Sequence, residues 1–293
     1  MIRTVIMGRL GNQMFQYAHA YNYAKMHDDE LHLYFYKVNN QLDQFNATDY
    51  VEEKKLKAPF FQKACLQAFL IVRRILCKKN KTKERKFDLK HAKWLARRGI
   101  ILNTIGYSKE LETKKKNILL FGYFESERYF EENKAIIKKK YSNYNKPLGK
   151  SAKKMLSDIE KTNSVAVHIR RGDFVGLNHV VCDKTYFEKC IEYMKKHVKN
   201  PKFFVFSDDI EWVKENISFP DDTVYELPDL KLGEIMYLRS KCKHFICANS
   251  TFSWWGAYLG SYDKKIVLAP KYWRPDNEKV DLVLDGWIKI DNR

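Results

Sequence analysis

The chain has 293 residues, of which 45% are hydrophobic and 14% aromatic, and its formal net charge is +18. This length is enough for two domains with cores of their own, and the hydrophobic content excludes an intrinsically disordered chain. The positive charge favours an acidic partner, which would be nucleic acid, an anionic membrane or a phosphorylated small molecule.

The first predicted element is a short β-branched strand at residues 3–7, followed by Gly8, Gly11 and an apolar-periodic helix. A strand, a glycine turn and a helix are typical of the opening of an α/β unit. The turn also carries two amides, Asn12 and Gln13, which can bind hydroxyl or phosphate groups. Its glycine spacing is not G-x-G-x-x-G, so it does not by itself indicate a dinucleotide site.

Residues 51–98 form a basic segment with 16 Lys or Arg against four Asp or Glu, which gives it +12 of the net +18. A helix is predicted at residues 59–77, and the basic run KKNKTKERK follows it. The apolar face of this helix carries Phe61, Cys65, Ala68, Val72 and Leu76. We favour a core-packed helix followed by a solvated basic loop, and the alternative is a helix that lies on an anionic membrane. The segment lacks the regularly interleaved aromatic residues of a stacking platform, so we expect no nucleic-acid partner.

No run approaches 18 consecutive apolar residues, and the first residues lack the basic and apolar regions of a secretory signal. We therefore expect a cytoplasmic protein without a spanning helix, peripheral on the inner face of the membrane if the basic segment binds lipid. The six cysteines show no CxxC pair and no zinc-type spacing with histidine, which favours reduced, structural thiols.

A buried strand is predicted at residues 118–124, and the Lys-, Tyr- and Asn-rich residues 138–151 are the best candidate for a linker. We therefore place one domain at residues 1–145 and a second at 146–293. Beyond the linker, strand and helix patterns alternate, which predicts a parallel sheet covered on both faces. Ligands of such sheets bind at the carboxyl ends of the strands, where the strand order switches.

Polar clusters follow three of these predicted strands, at residues 168–173, 207–209 and 249–251. Strand alternation puts His168 and Arg170 on the same side, where they can converge on one ligand. Arginine suits a pyrophosphate because its planar fork donates two hydrogen bonds and keeps its charge. Asp173 would hold an arginine in place or contact the substrate. A surface turn with a local ion pair explains the same residues.

Two of these clusters also lie at predicted helix starts. Residues 249–251 are placed to cap the following helix, whose N-terminus is suited to phosphate, whereas the adjacent Trp254 and Trp255 are typical of a core. The FSDD stretch ending at Asp209 is either a magnesium-binding carboxylate pair or a helix cap, and we favour the cap.

Together, GRLGNQMFQYA, HIRRGD, FSDDIEW and CKHFICANSTFSWWGAYL resemble the α-1,2-fucosyltransferases of glycosyltransferase family 11 in their bacterial form. The resemblance implies an α/β fold, a GT-B-like glycosyltransferase with two Rossmann-like domains. Residues 1–145 would form the acceptor side, and residues 146–293 would bind GDP-fucose.

The resemblance also implies the reaction, an inverting, metal-independent transfer of L-fucose from GDP-β-L-fucose to the 2-hydroxyl of a terminal galactose. The acceptor would be a galactose-terminated oligosaccharide or a lipid-linked glycan in polysaccharide biosynthesis, and no cofactor is expected. The alternatives are α-1,6 or protein O-linked regiochemistry, or another GDP-sugar.

Carried over by motif, Arg170 should bind the β-phosphate and assist its departure, and Arg170 and Asp173 are the implied catalytic residues. The implied donor-binding residues are Gly11, Asn12, Gln13, His168, Arg171, Ser207, Asp208, Asn249, Ser250, Thr251, Phe252 and Ser253. The general base is Asp173 or His179, or a residue of the N-terminal domain, or strong assistance of departure makes a base nearly unnecessary. Asn178 and His179 lie where α-1,6 relatives have the carboxylate that is their suspected base.

Overall fold

The computed structural model describes residues 1–103, 106–108, 115–172, 181–275 and 280–293. The chain divides into two compact units. The first comprises Met1–Asp43 and Ala47–Ile137, and the second comprises Gln44–Asn46 and Lys138–Arg293. The units therefore divide before the predicted boundary at residue 145, and the roles assigned to the two domains stay predictions.

The first unit is built on a five-stranded parallel sheet of order β3-β2-β1-β5-β4. Its strands are β1 Ile2–Ile6, β2 Leu31–Phe35, β3 Val51–Glu52, β4 Ile100–Asn103 and β5 Ile118–Gly122. Its helices are α1 Leu10–Met26, α2 Phe60–Cys77 and α3 Lys81–Ala96. Helix α4, Lys134–Ser142, crosses the boundary, and short 3-10 turns lie at Leu42–Gln44, Glu127–Tyr129 and Glu131–Asn133.

The second unit is built on a six-stranded parallel sheet of order β11-β10-β9-β6-β7-β8. Its strands are β6 Asn163–Ile169, β7 Pro201–Ser207, β8 Val224–Tyr225, β9 His244–Ile246, β10 Val267–Pro270 and β11 Ile288–Ile290. Its helices among the described residues are α5 Lys150–Lys161, α6 Lys184–His197, α7 Ile210–Asn216, α8 Leu232–Lys241 and α9 Thr251–Leu259. The alternating pattern read from the sequence is confirmed.

Strand β6 lies at the centre of this sheet and is buried along both faces, as a parallel strand between two helical layers must be. Val165 and Ile169 pack toward α6, whereas Ala166 packs toward α5, α8 and α9. The strand order turns between β6 and β9, because β7 and β8 extend the sheet on one side of β6 and β9 to β11 extend it on the other. A topological switch point therefore lies at the carboxyl ends of β6 and β9.

The basic segment differs from its predicted form in two respects. The run KKNKTKERK is not a loop: Asn80 caps α3 by accepting from the backbone N–H of Lys83, and a helix begins at Lys81. In addition, α2 packs through Leu66 and Phe69, while Val72 and Leu76 of the predicted core face are exposed. Both sides of α2 are apolar, so periodicity alone could not show which side is buried.

The predicted linker at residues 138–151 is helical at both ends, because α4 ends at Ser142 and α5 begins at Lys150, and only the residues between these helices are non-helical. All six cysteines are free of disulfides, and five of them are buried. Within the described ranges, no helix is long and apolar enough to cross a membrane.

Candidate functional site

The register of β6 and β7 brings the two arginines of HIRRGD against the two aspartates of FSDD. Ile169 is paired with Ser207, so the residues that follow each strand meet at the same level. Arg170 Nη1 lies 2.5 Å from Asp208 Oδ2, and the backbone N–H of Arg171 donates to Asp208 Oδ1 at 2.9 Å. Asp208 therefore orients this loop, one of the two roles that the sequence analysis left open for Asp173.

Arg171 is held by a second set of contacts. Its Nε lies 3.1 Å from Asp209 Oδ2, and its guanidinium stacks on the Trp212 ring at 3.5 Å. Asp209 also accepts from the backbone N–H of Trp212 and caps α7, so the cap interpretation of FSDD is confirmed for this residue. A Cβ at Gly172 would overlap the carboxylate of Asp208, so only glycine fits beside this ion pair.

His168 faces the other side of the sheet from Ile169, as strand alternation predicts, and lies under the start of α9. Its ring packs edge-on against Phe252, with the centroids 5.4 Å apart. Burial, followed by the charges of Arg239 and Arg170, lowers its pKa well below the usual value, so the imidazole is neutral at pH 7. The buried Nδ1 has no hydrogen-bond partner among the described residues.

Helix α9 begins directly after the β9 exit, with Ser250 in the N-cap position. The Ser250 side chain makes no cap hydrogen bond, whereas Ser253 Oγ accepts from the backbone N–H of Ala248 at 3.0 Å. A helix satisfies none of its first-turn N–H groups by its own bonds, so Phe252 and Ser253 present donors suited to an anion. Asn249 donates to the carbonyl of Trp273 at 3.3 Å, which ties the β9 exit to a neighbouring loop.

Sequence analysis missed Arg239, whose side chain is 1% exposed. Its Nη1 and Nη2 donate to the carbonyls of Phe252 and Ser253 at 2.9 and 3.0 Å, so it supports the first turn of α9 from below. Burial lowers its pKa to about 10, which leaves it charged at pH 7. Across the described chain, no carboxylate lies within ion-pair distance of it. One signal could have identified it: Arg239 falls at helical spacing among the buried Ile235 and Leu238 of α8 and Cys242, which directly follows that helix.

A cavity of about 730 Å³ opens beside the β7 and β8 exits, and Asp208, Tyr225 and Glu226 are among its lining residues. Glu226, also missed, accepts from the backbone N–H of Ser207 at 3.2 Å. Burial raises its pKa to about 7, and Asp208 adds to the increase. Glu226 directly follows β8, so the strand-exit rule applied to the other clusters would have found it.

The N-terminal motif folds differently from its predicted form, because α1 begins at Leu10 and includes Gly11, Asn12 and Gln13. Gln13 is fully buried, and its amide bonds the carbonyls of Gly8 and Asn39 and the backbone N–H of Gln41. A contact between Gln13 and the donor, which stays a prediction, would have to replace one of these bonds.

Asp173, Asn178 and His179 lie outside the described residues. Trp254 and Trp255 are fully buried, which confirms that they belong to the core. Within the described ranges, no group of three or more His, Cys, Asp or Glu side chains is arranged to hold a metal ion.

Two parallel-sheet units, the second with arginines and a helix N-terminus at its switch point, agree with the GT-B-like α/β class expected from the sequence. Residues 1–291 match glycosyl transferase family 11, and the chain belongs to that family.

Two bacterial relatives match nearly the whole chain. An alpha-1,2-colitosyltransferase from Escherichia coli is 33% identical and is matched over 98% of this chain and 97% of its own. The O-antigen biosynthesis glycosyltransferase WbnK from Escherichia coli is 30% identical, with 97% and 99% covered. The galactoside alpha-(1,2)-fucosyltransferase 1 of Rattus norvegicus is 29% identical over 45% of this chain and 39% of its own.

Among solved structures, the fucosyltransferase NodZ from Bradyrhizobium is similar, with a TM-score of 0.50 at 13% identity. The match covers 87% of this chain and 90% of that one. At this identity the similarity concerns the fold, and it agrees with the predicted GT-B-like α/β class.

Proposed function

We propose that this glycosyltransferase moves L-fucose from GDP-β-L-fucose to the 2-hydroxyl of a terminal galactose, with inversion and without a metal ion. The observation that carries the proposal is the arginine pair at the β6 exit, next to the N-terminus of α9. Negative charge accumulates on the β-phosphate as the sugar leaves, and fixed donors that stabilise this charge are the largest catalytic contribution.

In this proposal Arg170 binds the β-phosphate and assists its departure. Its pairing with Asp208 is compatible with this role, because a guanidinium has five N–H donors and one carboxylate occupies at most two. Asp208 then acts as an orienting partner that fixes the fork before the donor arrives. Arg171, stacked on Trp212, adds positive charge at the same strand end. The proposal that no metal is needed rests on these two guanidinium groups.

The first turn of α9 receives the diphosphate from the other side. Phe252 and Ser253 contribute backbone N–H groups there, and the positive end of the helix dipole adds to their effect. The buried charge of Arg239 lies under this turn and acts on the same phosphates without contacting them. His168, neutral and with one unpartnered nitrogen in the described structure, contributes a hydrogen bond and no charge.

The cavity beside β8 takes the guanosine. Its volume of about 730 Å³ lies within the range of about 300–1,000 Å³ typical of ligand pockets. Guanine presents adjacent N–H donors on one edge, and the ionised carboxylate of Glu226 is the complementary acceptor at the cavity wall. Selection of a GDP-sugar over other nucleotide sugars is thereby assigned to Glu226.

Asp173 is proposed as the general base or as a second orienting partner of the arginines. The two roles separate in an Asp173→Asn variant. Loss of a base removes the acidic limb of the pH–rate profile, whereas loss of an orienting partner lowers the rate at all pH values. With His179 or a residue of the N-terminal unit as the base, the acidic limb would stay in place in Asp173→Asn. With departure that needs no base, the wild type itself would lack an acidic limb that a base causes.

The α-1,2 linkage is supported by the names of the bacterial and rat relatives. GDP-colitose is the second candidate for the donor, because the colitosyltransferase relative matches almost the full chain. Colitose is L-fucose without the 3-hydroxyl, so one site could accept both sugars as GDP derivatives. The acceptor in either case is a galactose-terminated oligosaccharide or a lipid-linked glycan, presented in the cytoplasm.

The deciding experiment incubates the protein with GDP-fucose, or with GDP-colitose, and a galactose-terminated acceptor in the presence of EDTA. We expect transfer, with NMR of the product showing an α-linked sugar on the 2-hydroxyl of galactose. A 6-linked or peptide-linked product would replace the α-1,2 assignment. Dependence on added Mg²⁺ or Mn²⁺ would overturn the metal-independent mechanism.

A further inference from the structure

Helix α2 presents an unusually exposed apolar surface. Phe60, Ile75 and Leu76 are 83%, 66% and 61% exposed. Eight exposed residues form this surface, here called the apolar stripe: Phe60, Phe61, Ala64, Ala68, Ile71, Val72, Ile75 and Leu76. At about 100° per residue the stripe covers about 160° of the helix, and none of its members is charged. Scattered exposed apolar residues are ordinary, but a contiguous stripe of this kind marks an interaction site.

The opposite side of α2 fixes the stripe in this orientation. Leu66 and Phe69 are buried there, and the Phe69 ring packs against Phe87 of α3 at 5.3 Å. Arg73 Nη1 and Asp88 Oδ2 form a half-buried ion pair between the two helices at 2.8 Å. Rotation of α2 to bury the stripe would break these contacts, so the stripe belongs to the folded surface.

Positive charge surrounds the stripe and does not interrupt it. Lys78 and Lys79 are exposed directly after α2, Lys57 is exposed before it, and Arg74 is exposed on its polar border. The segment 51–98 carries a net +12. Lysine and arginine side chains at such borders can keep their charges in water while their stems follow an apolar surface.

We propose that the apolar stripe docks the protein on an anionic lipid bilayer, with α2 lying in the plane of the interface. A helix with an uncharged apolar face and cationic borders is the form that binds such surfaces. At 18 residues, α2 is about 27 Å long and lies flat without spanning, in keeping with the lack of a spanning helix among the described residues.

Charge distinguishes the bilayer from the other partners that could cover the stripe. A second copy of the chain would bring two clusters of +12 together, which is electrostatically unfavourable. Nucleic acid would satisfy the positive charge but leave the apolar stripe in water. An anionic bilayer would both neutralise the positive charge and take the apolar stripe out of water. The proposal goes beyond the sugar-transfer reaction and concerns a surface of the first unit.

The test is sedimentation with sucrose-loaded vesicles of phosphatidylcholine, with and without phosphatidylglycerol. We expect the wild-type protein to pellet with the anionic vesicles and to be released when the salt concentration is raised to about 0.5 M, because salt screens the attraction between surface charges. Ile71→Gln/Ile75→Gln should lower the partition coefficient at least about tenfold. Lys78→Gln/Lys79→Gln should lower it about tenfold or more, since each surface cation adds to binding.

The matched control is Met26→Gln/Ile136→Gln, which changes two exposed apolar residues of the same unit outside α2 and should leave binding unchanged. Circular dichroism and transfer to a soluble acceptor report whether each variant is folded. Vesicle binding requires no sugar nucleotide, so a wrong donor assignment would leave this result intact.

Three results would overturn the proposal: equal pelleting of the stripe variant and the wild type, equal binding to neutral and anionic vesicles, or a wild-type dimer that Ile71→Gln/Ile75→Gln dissociates. The last result would assign the stripe to self-association. Salt-sensitive RNA binding without vesicle binding would assign the basic segment to nucleic acid instead.

Discussion

The two sheets have the same parallel construction, but the side chains at their strand ends do different things. In the first unit, Gln16 of α1 bonds the backbone N–H and carbonyl of Met7 at the β1 exit, and Asn103 at the β4 end donates to the carbonyl of Gly106. In the second unit, the β6 and β7 exits carry the Arg170–Asp208 ion pair.

The difference shows that a polar residue at a strand end is not by itself a ligand-binding residue. Buried amides in the first unit satisfy neighbouring backbone groups, which is what buried loops require. At the β6 and β7 exits the carboxylates also bond the backbone, since Asp208 accepts from the N–H of Arg171, but each of them in addition holds a guanidinium group that the proposed reaction would use. The predictions below test this distinction.

The largest effect is expected for Arg170→Ala, which should lower kcat/KM at least about a hundredfold because it removes a donor to the departing phosphate. Arg170→Lys keeps the positive charge but loses the planar guanidinium, so its kcat/KM should lie between that of the wild type and that of Arg170→Ala. Steady-state kinetics with GDP-fucose and a soluble galactoside would measure both.

The matched control is Arg3→Ala in the first unit. Arg3 Nε lies 3.2 Å from Glu53 Oε1, and its side chain is 12% exposed against 13% for Arg170. The two arginines are thus similarly buried, although Glu53 is 1% exposed and Asp208 26%, and only the second-unit arginine should affect catalysis. Equal losses of activity in the two variants would remove the distinction between the units.

A loss of stability without a loss of GDP affinity is expected at Gln16. This residue is fully buried and donates to the carbonyls of Met7 and Asn12. Gln16→Met keeps the shape of the side chain and removes its bonds to the backbone N–H and carbonyl of Met7, so it should lower the free energy of unfolding by about 2 kcal/mol. Urea denaturation measures this loss, and the affinity of the folded variant for GDP should not change. Gln67→Met, at an exposed position of α2, is the control. A large loss of GDP affinity in Gln16→Met would place the first unit's amides in the donor site.

A smaller, pH-dependent effect is expected at Glu226. With a pKa raised to about 7 by burial, its carboxyl is protonated below that pH and cannot accept both guanine donors. GDP affinity should therefore rise as the pH increases from 6 to 8. Glu226→Gln should weaken binding about tenfold at pH 8 and lose this part of the pH dependence.

Calorimetric titration of the wild type and of Glu226→Gln with GDP isolates the contribution of Glu226. The phosphate groups of GDP ionise in the same way in both titrations, so their effect on the pH dependence cancels. Asp208 and Arg239, whose charges act on Glu226, are unchanged in the comparison. Glu211→Gln, an exposed residue of the same cavity, is the control. Parallel pH profiles for the wild type and Glu226→Gln would remove Glu226 from guanine recognition.

Much of the second unit could be predicted from the sequence, because its strands are continuously apolar and separated by regular helices. The ends of β6 and β7 were identified for the same reason. The first unit was harder, because α3 is rich in lysine, a composition that also suits a loop. Its helical state depends on the Asn80 cap and on contacts such as Phe87 with Phe69, which composition does not reveal.

Two residues of the candidate site, Glu226 and Arg239, were not predicted from the sequence, for different reasons. Glu226 follows a strand of only two residues, Val224–Tyr225, whose exit is easily overlooked. Arg239 lies in the middle of a helix, away from every strand end, and it acts through the backbone of α9. A rule based on strand exits cannot find a residue of that kind.

The smallest effect is expected from Gly256→Ala, which tests whether Arg239 positions α9. A Cβ at Gly256 would stand 2.7 Å from Arg239 Nη2 and 2.8 Å from its Cζ, so the guanidinium would have to shift. Gly-to-Ala changes inside helices otherwise stabilise by about 1 kcal/mol. A lower midpoint of thermal unfolding, with kcat/KM reduced about fivefold, would therefore report the clash and the displaced first turn.

The double variant decides whether Arg239 mediates that effect. Arg239→Met shortens the side chain and removes the two donors to the carbonyls of Phe252 and Ser253. If Gly256→Ala acts by moving Arg239, it should cause little further loss of activity in the Arg239→Met background, a coupling that a double-mutant cycle measures. Additive losses would mean that Gly256 affects α9 directly.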